Sequence, residues 1–422
     1  MKKHFIIPAM LLLINCGGAD KKVKAAVKET AKPASVTRIN FFMETSASMA
    51  GYLAGGTQFK NTMLNLLSQL NTNQWNAPLN NYFIADTLAA FNGPTQDFIS
   101  AVTKQTLAKG KSSQMDKLFQ MVANKTGPNE ISLFVSDCIL SYPDKEIKKD
   151  PEINRSNAPG ALKSSIYSTF AALRKKNIGA SVYGFSSSFK GKYFTYQNTP
   201  IILKGDVPRP YYLWVIGNKD LLPGFNAQLK QLPAFTPEGI VMDFGVFTNP
   251  VSQYEILYTY AKNGDWSTLN NQLKDVTVTN KNKPVFSVAL NLNGLPSYTK
   301  DTAYLLKHLQ KEPGSVSFNL LRVAAVDRID NSKLKKNEKD ILSHNTHIIV
   351  IQITDIYNPG KVGILLPLEY DTGYRNLSIM DDRNKSAIAG KTFAFEHLID
   401  GVRDAYQSSN QYFIHISVPV KK

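Results

Sequence analysis

The sequence predicts an α/β protein in which a doubly wound, mostly parallel sheet is followed by a β-rich α+β domain. From residue 36 to about residue 232, β-rich runs alternate with segments whose apolar residues recur at helical spacing. Such alternation is typical of βαβ units. From about residue 238, β-rich runs follow one another with turn signals between them. The chain has 422 residues, of which 43% are hydrophobic, and this suffices for two domains with sizeable cores.

The elements of the first part follow from local patterns. EISLFVSD, at 130–137, is almost continuously apolar at its centre, as strands buried on both faces are. Residues 113–125 place Met115, Leu118 and Val122 on one face of a helix. On the same grounds the predicted strands are 36–43, 81–88, 130–137, 178–186 and 209–217, and the predicted helices are 58–70, 113–125, 161–177 and 218–232.

The second part is predicted to consist mainly of strands. Its β-rich runs begin with IVMDFGVF and end with QYFIHISVPV, and helical patterns occur near 301–311 and 392–407. The charged stretch KLKKNEKD, at 333–340, is predicted to be a solvated surface loop. We therefore expect one domain at 36–235 and a second at 236–422.

The N-terminus has the pattern of an export signal. Two lysines precede an apolar run that ends at Ile14 and is too short to span a bilayer. The following residues, LINC, resemble a bacterial lipobox, and this resemblance implies that Cys16 is lipidated after removal of residues 1–15. Residues 16–35 are rich in lysine and are predicted to tether the protein above an anionic membrane face. The alternative is an ordinary signal peptide without lipid.

The charge and cysteine content limit the function classes. The formal net charge is +16, but no basic stripe is interleaved with aromatic residues, so we do not expect nucleic acid as a partner. If Cys16 carries lipid, Cys138 has no disulfide partner among the two cysteines of the chain. Cys138 lies in an apolar context, where a cysteine behaves as a small hydrophobe, and we assign it no catalytic role.

Oxygen-bearing side chains follow two of the predicted strands. Glu44, Ser46 and Ser48 come at the end of RINFFM, and Asp137 comes at the end of EISLFVS. Ligands of open parallel sheets bind outside the carboxyl ends of the strands, so we expect these side chains at one edge. Together with Ser113, which begins a predicted helix, they form an all-oxygen set suited to magnesium, manganese or calcium. The alternative is structural: the serines cap helices, and Asp137 accepts backbone hydrogen bonds in a turn.

This arrangement resembles the metal-ion-dependent adhesion site of von Willebrand factor type A domains over roughly residues 36–232. The family's Asp-x-Ser-x-Ser loop corresponds to Glu44-Thr45-Ser46-Ala47-Ser48, with glutamate in place of the leading aspartate. Ser113 stands where the family has threonine, and Asp137 corresponds to its late aspartate. The resemblance implies a Rossmann-like domain that binds a divalent cation, with one coordination position left for an acidic residue of a partner.

The predicted function is therefore a non-catalytic one in the bacterial cell envelope. We expect a lipid-anchored protein, facing the periplasm or the cell surface, that binds a protein partner through its type A-like domain. One alternative is a metal-free scaffold whose C-terminal domain does the binding. Another is a metal-dependent hydrolase of the envelope, although the sequence places no histidine near the candidate site.

Overall fold

The structure is a computed structural model that describes residues 35–422 except 73–74, 109, 111–113, 248, 333 and 409–410. The strands are β1 (Arg38–Glu44), β2 (Leu79–Ile84), β3 (Leu88–Phe91), β4 (Glu130–Ser136), β5 (Ile178–Phe194), β6 (Pro200–Asn218), β7 (Val241–Phe244), β8 (Glu255–Leu257), β9 (Ser267–Leu269), β10 (Gln272–Lys274), β11 (Val285–Leu290), β12 (Gln310–Glu312), β13 (Val316–Ala325), β14 (His347–Ile356), β15 (Gly360–Pro367), β16 (Ser378–Ile379), β17 (Thr392–Phe393) and β18 (Tyr412–Val420). The α-helices are α1 (Gln58–Asn71), α2 (Thr95–Ala101), α3 (Met115–Lys125), α4 (Asp144–Lys149), α5 (Ala158–Lys175), α6 (Leu222–Leu229), α7 (Thr302–His308), α8 (Lys336–His344) and α9 (Phe395–Tyr406). Short 3-10 helices span Ala47–Gly51, Gln105–Leu107, Ser297–Lys300, Val326–Arg328 and Gly373–Leu377.

The first part of the chain forms a seven-stranded sheet in the order β3-β2-β1-β4-β6-β5-β7. β1 pairs in parallel with β2 on one side and β4 on the other, whereas the remaining neighbours in this sheet pair antiparallel. The α/β class is as predicted. The prediction of a mostly parallel sheet is wrong, because this sheet is mixed.

Part of the mixed direction results from the hairpin formed by β5 and β6. Their pairing runs from Ile178↔Asn218 to Phe194↔Pro200, and a tight turn in which Thr195 N–H donates to Thr199 O at 3.1 Å joins them. Paired strands that are joined by a tight turn must run antiparallel. The predicted strands at 178–186 and 209–217 are the halves of β5 and β6 that lie away from the turn. The sequence analysis missed the halves next to the turn.

Helices cover both faces of the sheet, as expected for a doubly wound arrangement. Strand side chains alternate between the faces. On one face, Phe41 of β1 contacts Phe98 of α2 with ring centroids 6.1 Å apart. On the other, Phe134 of β4 contacts Phe119 of α3 at 5.3 Å. The central strand β1 is buried along almost its whole length, which places its end inside the protein.

The second part contains a five-stranded sheet, β12-β15-β18-β10-β9, and a four-stranded sheet, β13-β14-β11-β8. The β-rich prediction is confirmed. The predicted surface loop at 333–340 is wrong over most of its length, because α8 begins at Lys336. Glu338 is buried there and accepts a hydrogen bond from Thr259 N–H at 2.8 Å. This contact, distant in sequence, joins the charged segment to the rest of the protein.

The two parts pack against each other. Tyr406 of α9 contacts Phe170 of α5, with centroids 6.2 Å apart, and its hydroxyl donates to Ile178 O at 2.7 Å. The predicted division near residue 235 stays a prediction. The predictions for residues 1–15, for Cys16 and for the tether up to residue 34 lie outside the described residues. Within the described part of the chain, no helix has the length and apolar character needed to cross a membrane.

Candidate functional site

The first group of predicted site residues gathers where β1 ends. Glu44 is the last residue of β1 and is fully buried. The Ser46 hydroxyl donates to Glu44 Oε1 at 2.5 Å and lies 2.9 Å from the Ser48 hydroxyl. Ser46 is 1% exposed, whereas Ser48 is half-buried. Three side-chain oxygens therefore meet in one cluster, and solvent reaches it from the side of Ser48.

The structure contradicts the alternative in which Ser46 and Ser48 cap helices. Ser46 precedes the 3-10 helix Ala47–Gly51, but its side chain makes no capping hydrogen bond there. The following helix, α1, is capped by Thr57, whose side chain accepts from Lys60 N–H at 3.4 Å. The hydroxyls of Ser46 and Ser48 instead face each other and the carboxylate.

Asp137 reaches the same edge of the sheet because β1 and β4 run parallel as neighbours. It follows Ser136 directly, is fully buried, and accepts from Ile139 N–H at 3.1 Å through Oδ1. This bond is the turn contact that the structural alternative predicts. Burial raises the pKa of Asp137, while the Ile139 N–H, the Ser48 hydroxyl and the Arg209 charge act in the opposite direction. The loops after β1 and β4 thus converge on one buried carboxylate.

Ser113, the fifth predicted ligand, lies outside the described residues. Gly110, a described residue before it in the chain, approaches the site and forms a parallel bridge with Ser46. Ala47 N–H donates to Gly110 O, and Gly110 N–H donates to Thr45 O, both at 2.9 Å. A side chain at Gly110 would meet Ala85 and the Ser46 backbone, so glycine permits this close approach.

Arg209, which the sequence analysis missed, is a buried cation near the carboxylates. It lies in β6, is fully buried, and its Nη1 donates to Ile388 O and, at 2.6 Å, to Lys391 O. Its guanidinium carbon lies 4.6 Å from the ring centre of Tyr193. An arginine at the start of the apolar run RPYYLWVIG was the only signal in the sequence. Burial of a lone cation is costly, so neighbouring negative charge is required.

The segment that accepts from Arg209 belongs to the second part of the chain. Thr392 lies 3.2 Å from the Tyr212 hydroxyl, and Phe395 stacks on the Tyr212 ring with centroids 4.2 Å apart. Asp382 of the same segment accepts a hydrogen bond through Oδ2 from the Tyr193 hydroxyl at 2.6 Å. Residues 382–395 therefore help to enclose the site, a contribution that the sequence analysis did not predict.

One distance among the described oxygens, that between the two serine hydroxyls, is compatible with a small divalent cation, whereas Ser46 Oγ and Glu44 Oε1 are at hydrogen-bond distance. Adjacent ligands of an octahedral magnesium ion, each about 2.1 Å from the metal, are about 3 Å apart, and calcium requires a wider spacing. The distance of 2.9 Å between the Ser46 and Ser48 hydroxyls matches magnesium or manganese. The same distance also serves a hydrogen bond. Among the described residues, no group of three or more His, Cys, Asp or Glu side chains is placed to hold a metal, so a cation here would depend on the serine hydroxyls.

Comparison with protein-family models, with curated proteins and with solved structures gives no match to this chain. The resemblance to von Willebrand factor type A domains therefore stays a prediction that rests on the residues described above.

Proposed function

We propose that this protein is an exported lipoprotein of the bacterial cell envelope that binds a protein partner without catalysis. In this proposal Cys16 carries the lipid anchor, and the α/β part binds the partner through a divalent cation. Magnesium or manganese would be held by Glu44, Ser46, Ser48, Ser113 and Asp137. The bound ion would supply positive charge, and an acidic side chain of the partner would complete its coordination.

One observation carries the proposal: the two serine hydroxyls lie 2.9 Å apart beside a buried carboxylate, with Ser48 on the accessible side. A cation at this point would face solvent only near Ser48. A partner's carboxylate would approach from that direction. The parallel pairing of β1 with β4 adds Asp137 from the neighbouring loop.

The test is cation binding by a soluble form that begins at Gly17. Calorimetry and thermal unfolding in magnesium and in manganese should show saturable binding at millimolar concentration or below. Ser46→Ala removes a hydroxyl and Asp137→Asn removes a charge, and both variants should lose the binding. Ser168→Ala, which removes an exposed hydroxyl on α5, should bind like the wild type. No binding at 10 mM of either metal would overturn the proposal of a cation site.

The lipid anchor requires a separate experiment. Labelling of growing cells with a radioactive fatty acid should mark the full-length chain, and Cys16→Ser should abolish the label. Equal labelling of both forms would refute lipidation at Cys16. This result is independent of cation binding, so each half of the proposal can fail alone.

A metal-free scaffold is the second candidate, and the burial of Arg209 favours it. The charge of the Arg209 guanidinium already favours the ionised form of Asp137 by lowering its pKa, so the protein itself supplies one positive charge at the site. In that case the site would stabilise the fold, and partner binding would be unaffected by chelators. A hydrolase, the third alternative, would replace both candidates if magnesium-dependent turnover were found and Asp137→Asn abolished it.

A further inference from the structure

A second cleft, distant in sequence from the candidate cation site, lies at the β7 edge of the seven-stranded sheet. Its volume is about 410 Å³. Asn226 and Lys230, in and just after α6, line one side. Asp243 of β7 and Phe247 of the following loop line the other. Clefts with apolar walls and a few convergent polar groups are the usual form of small-molecule sites.

A chain of hydrogen bonds fixes the orientation of the Asn226 amide. Asn226 Nδ2 lies 2.7 Å from Ser181 Oγ, and Ser181 Oγ lies 2.5 Å from Asp243 Oδ1. An ionised carboxylate can only accept, so Ser181 donates its hydrogen to Asp243. The lone pairs of Ser181 then accept from the amide nitrogen. The oxygen of Asn226 is therefore the atom of the amide that remains to accept a further hydrogen bond.

This oxygen is buried and requires a donor. Asn226 is 5% exposed, and no described residue donates a hydrogen bond to its Oδ1. A buried acceptor without a partner costs about 1–3 kcal/mol. Asp243 is half-buried in the same cleft, and no described residue donates to its Oδ2. Two acceptors, one of them charged, thus belong to residues that line the cleft, and this combination suits a primary ammonium group.

The remaining walls add a positive charge and apolar surface. Lys230 is exposed, and its Nζ lies 5.6 Å from the ring centre of Tyr183. Phe247, Val246 and Pro223 supply apolar surface. A ligand that uses all of these features carries an ammonium group, a carboxylate and an apolar side chain.

We propose that this cleft binds a small α-amino acid with an apolar side chain. Its ammonium group donates to Asp243 and to Asn226 Oδ1, its carboxylate pairs with Lys230, and its side chain contacts Phe247. This site is independent of the cation site and of the partner proposed above.

Three probes that share one apolar side chain test the assignment by calorimetry on the form that begins at Gly17. L-Leucine carries both charges, 4-methylpentanoate lacks the ammonium group, and 3-methylbutylamine lacks the carboxylate. Leucine should bind saturably, and each analogue should bind at least about tenfold more weakly, because a hydrogen bond to a charged group contributes at least that much.

The variants assign each charge to its partner. Asp243→Asn keeps the shape of the side chain. It should weaken the binding of leucine and of 3-methylbutylamine about tenfold and leave the binding of 4-methylpentanoate unchanged. Lys230→Met should instead weaken the binding of leucine and of 4-methylpentanoate. Lys175→Met removes an exposed lysine on α5 and should have no effect. Absence of saturable leucine binding to the folded wild type, equal affinity for the three probes, or insensitivity to Asp243→Asn would each overturn the proposal.

Discussion

Replacing Arg209 by methionine should destabilise the fold far more than removing an exposed arginine. Methionine retains a long apolar side chain but carries no charge and no donor. Ile388 O and Lys391 O, the acceptors of Nη1, would lose their donor within the protein interior. Asp137, whose ionised form the guanidinium favours, would lose a neighbouring cation.

The expected loss is about 3–5 kcal/mol of the free energy of unfolding, the usual effect of removing one partner from a buried charged pair. Urea denaturation followed by circular dichroism measures this loss. The matched control is Arg383→Met. Arg383 is also a cation near a tyrosine ring, 5.6 Å from the centre of Tyr196, but half of its side chain is exposed. We expect little change in the control because solvent screens exposed ion pairs.

A double-mutant cycle separates the lost charge compensation at Asp137 from the lost hydrogen bonds to the two carbonyls. If the charge of Arg209 compensates that of Asp137, then Asp137→Asn should cost less in the Arg209→Met background than in the wild type, with a coupling of about 1 kcal/mol or more. Additive losses would refute charge compensation and leave only the hydrogen bonds to the two carbonyls. A loss for Arg209→Met no larger than that for Arg383→Met would refute the whole line of reasoning.

Three further predictions concern other parts of the fold. Gly51→Ala should cost about 1–3 kcal/mol in urea denaturation because its methyl group would overlap the Phe189 ring; Phe189→Leu should restore part of the loss, and Gly56→Ala, which meets no neighbour, should not reproduce it. The Cys138 thiol is buried and burial raises its pKa, so Ellman's reagent should label it only as the protein unfolds, and rapid labelling in buffer would contradict this. Burial lowers the pKa of His347, so the unfolded chain, with a histidine pKa of about 6.5, takes up the proton first. The free energy of unfolding should therefore fall as the pH drops through about 6.5, and His347→Gln should lessen that fall; identical pH profiles would exclude His347 as its source.

Much of the secondary structure followed from local patterns. The helix predicted at 58–70 is α1 (Gln58–Asn71), and the strand predicted at 130–137 is β4 (Glu130–Ser136). These predictions succeeded because the apolar residues of each segment face one core at the spacing of its own secondary structure. The helix α8 was missed because its burial depends on contacts distant in the sequence, among them the hydrogen bonds that Thr259 donates to Glu338 across 79 residues.

The candidate site was predictable in part for a topological reason. Glu44 and Asp137 follow strands that are parallel neighbours, so their proximity required only the pairing of β1 with β4. The hydrogen bonds among Glu44, Ser46 and Ser48 are local and follow from their alternate positions. Arg209 could not be placed in this way, because the carbonyls that hold it come from about 180 residues later in the chain.

The sequence by itself determined the order of most of the strands and helices of the first part, and it brought three oxygen-bearing side chains together after β1. Those properties depend on residue spacing and on neighbours along the chain, which the sequence contains directly. Only the tertiary structure decided that the sheet is mixed, that Arg209 is buried where its charge acts on Asp137, and that Asn226 lines a cleft at the other edge. Each of these depends on segments far apart in the sequence, whose packing and hydrogen bonds exist only when the whole core has formed.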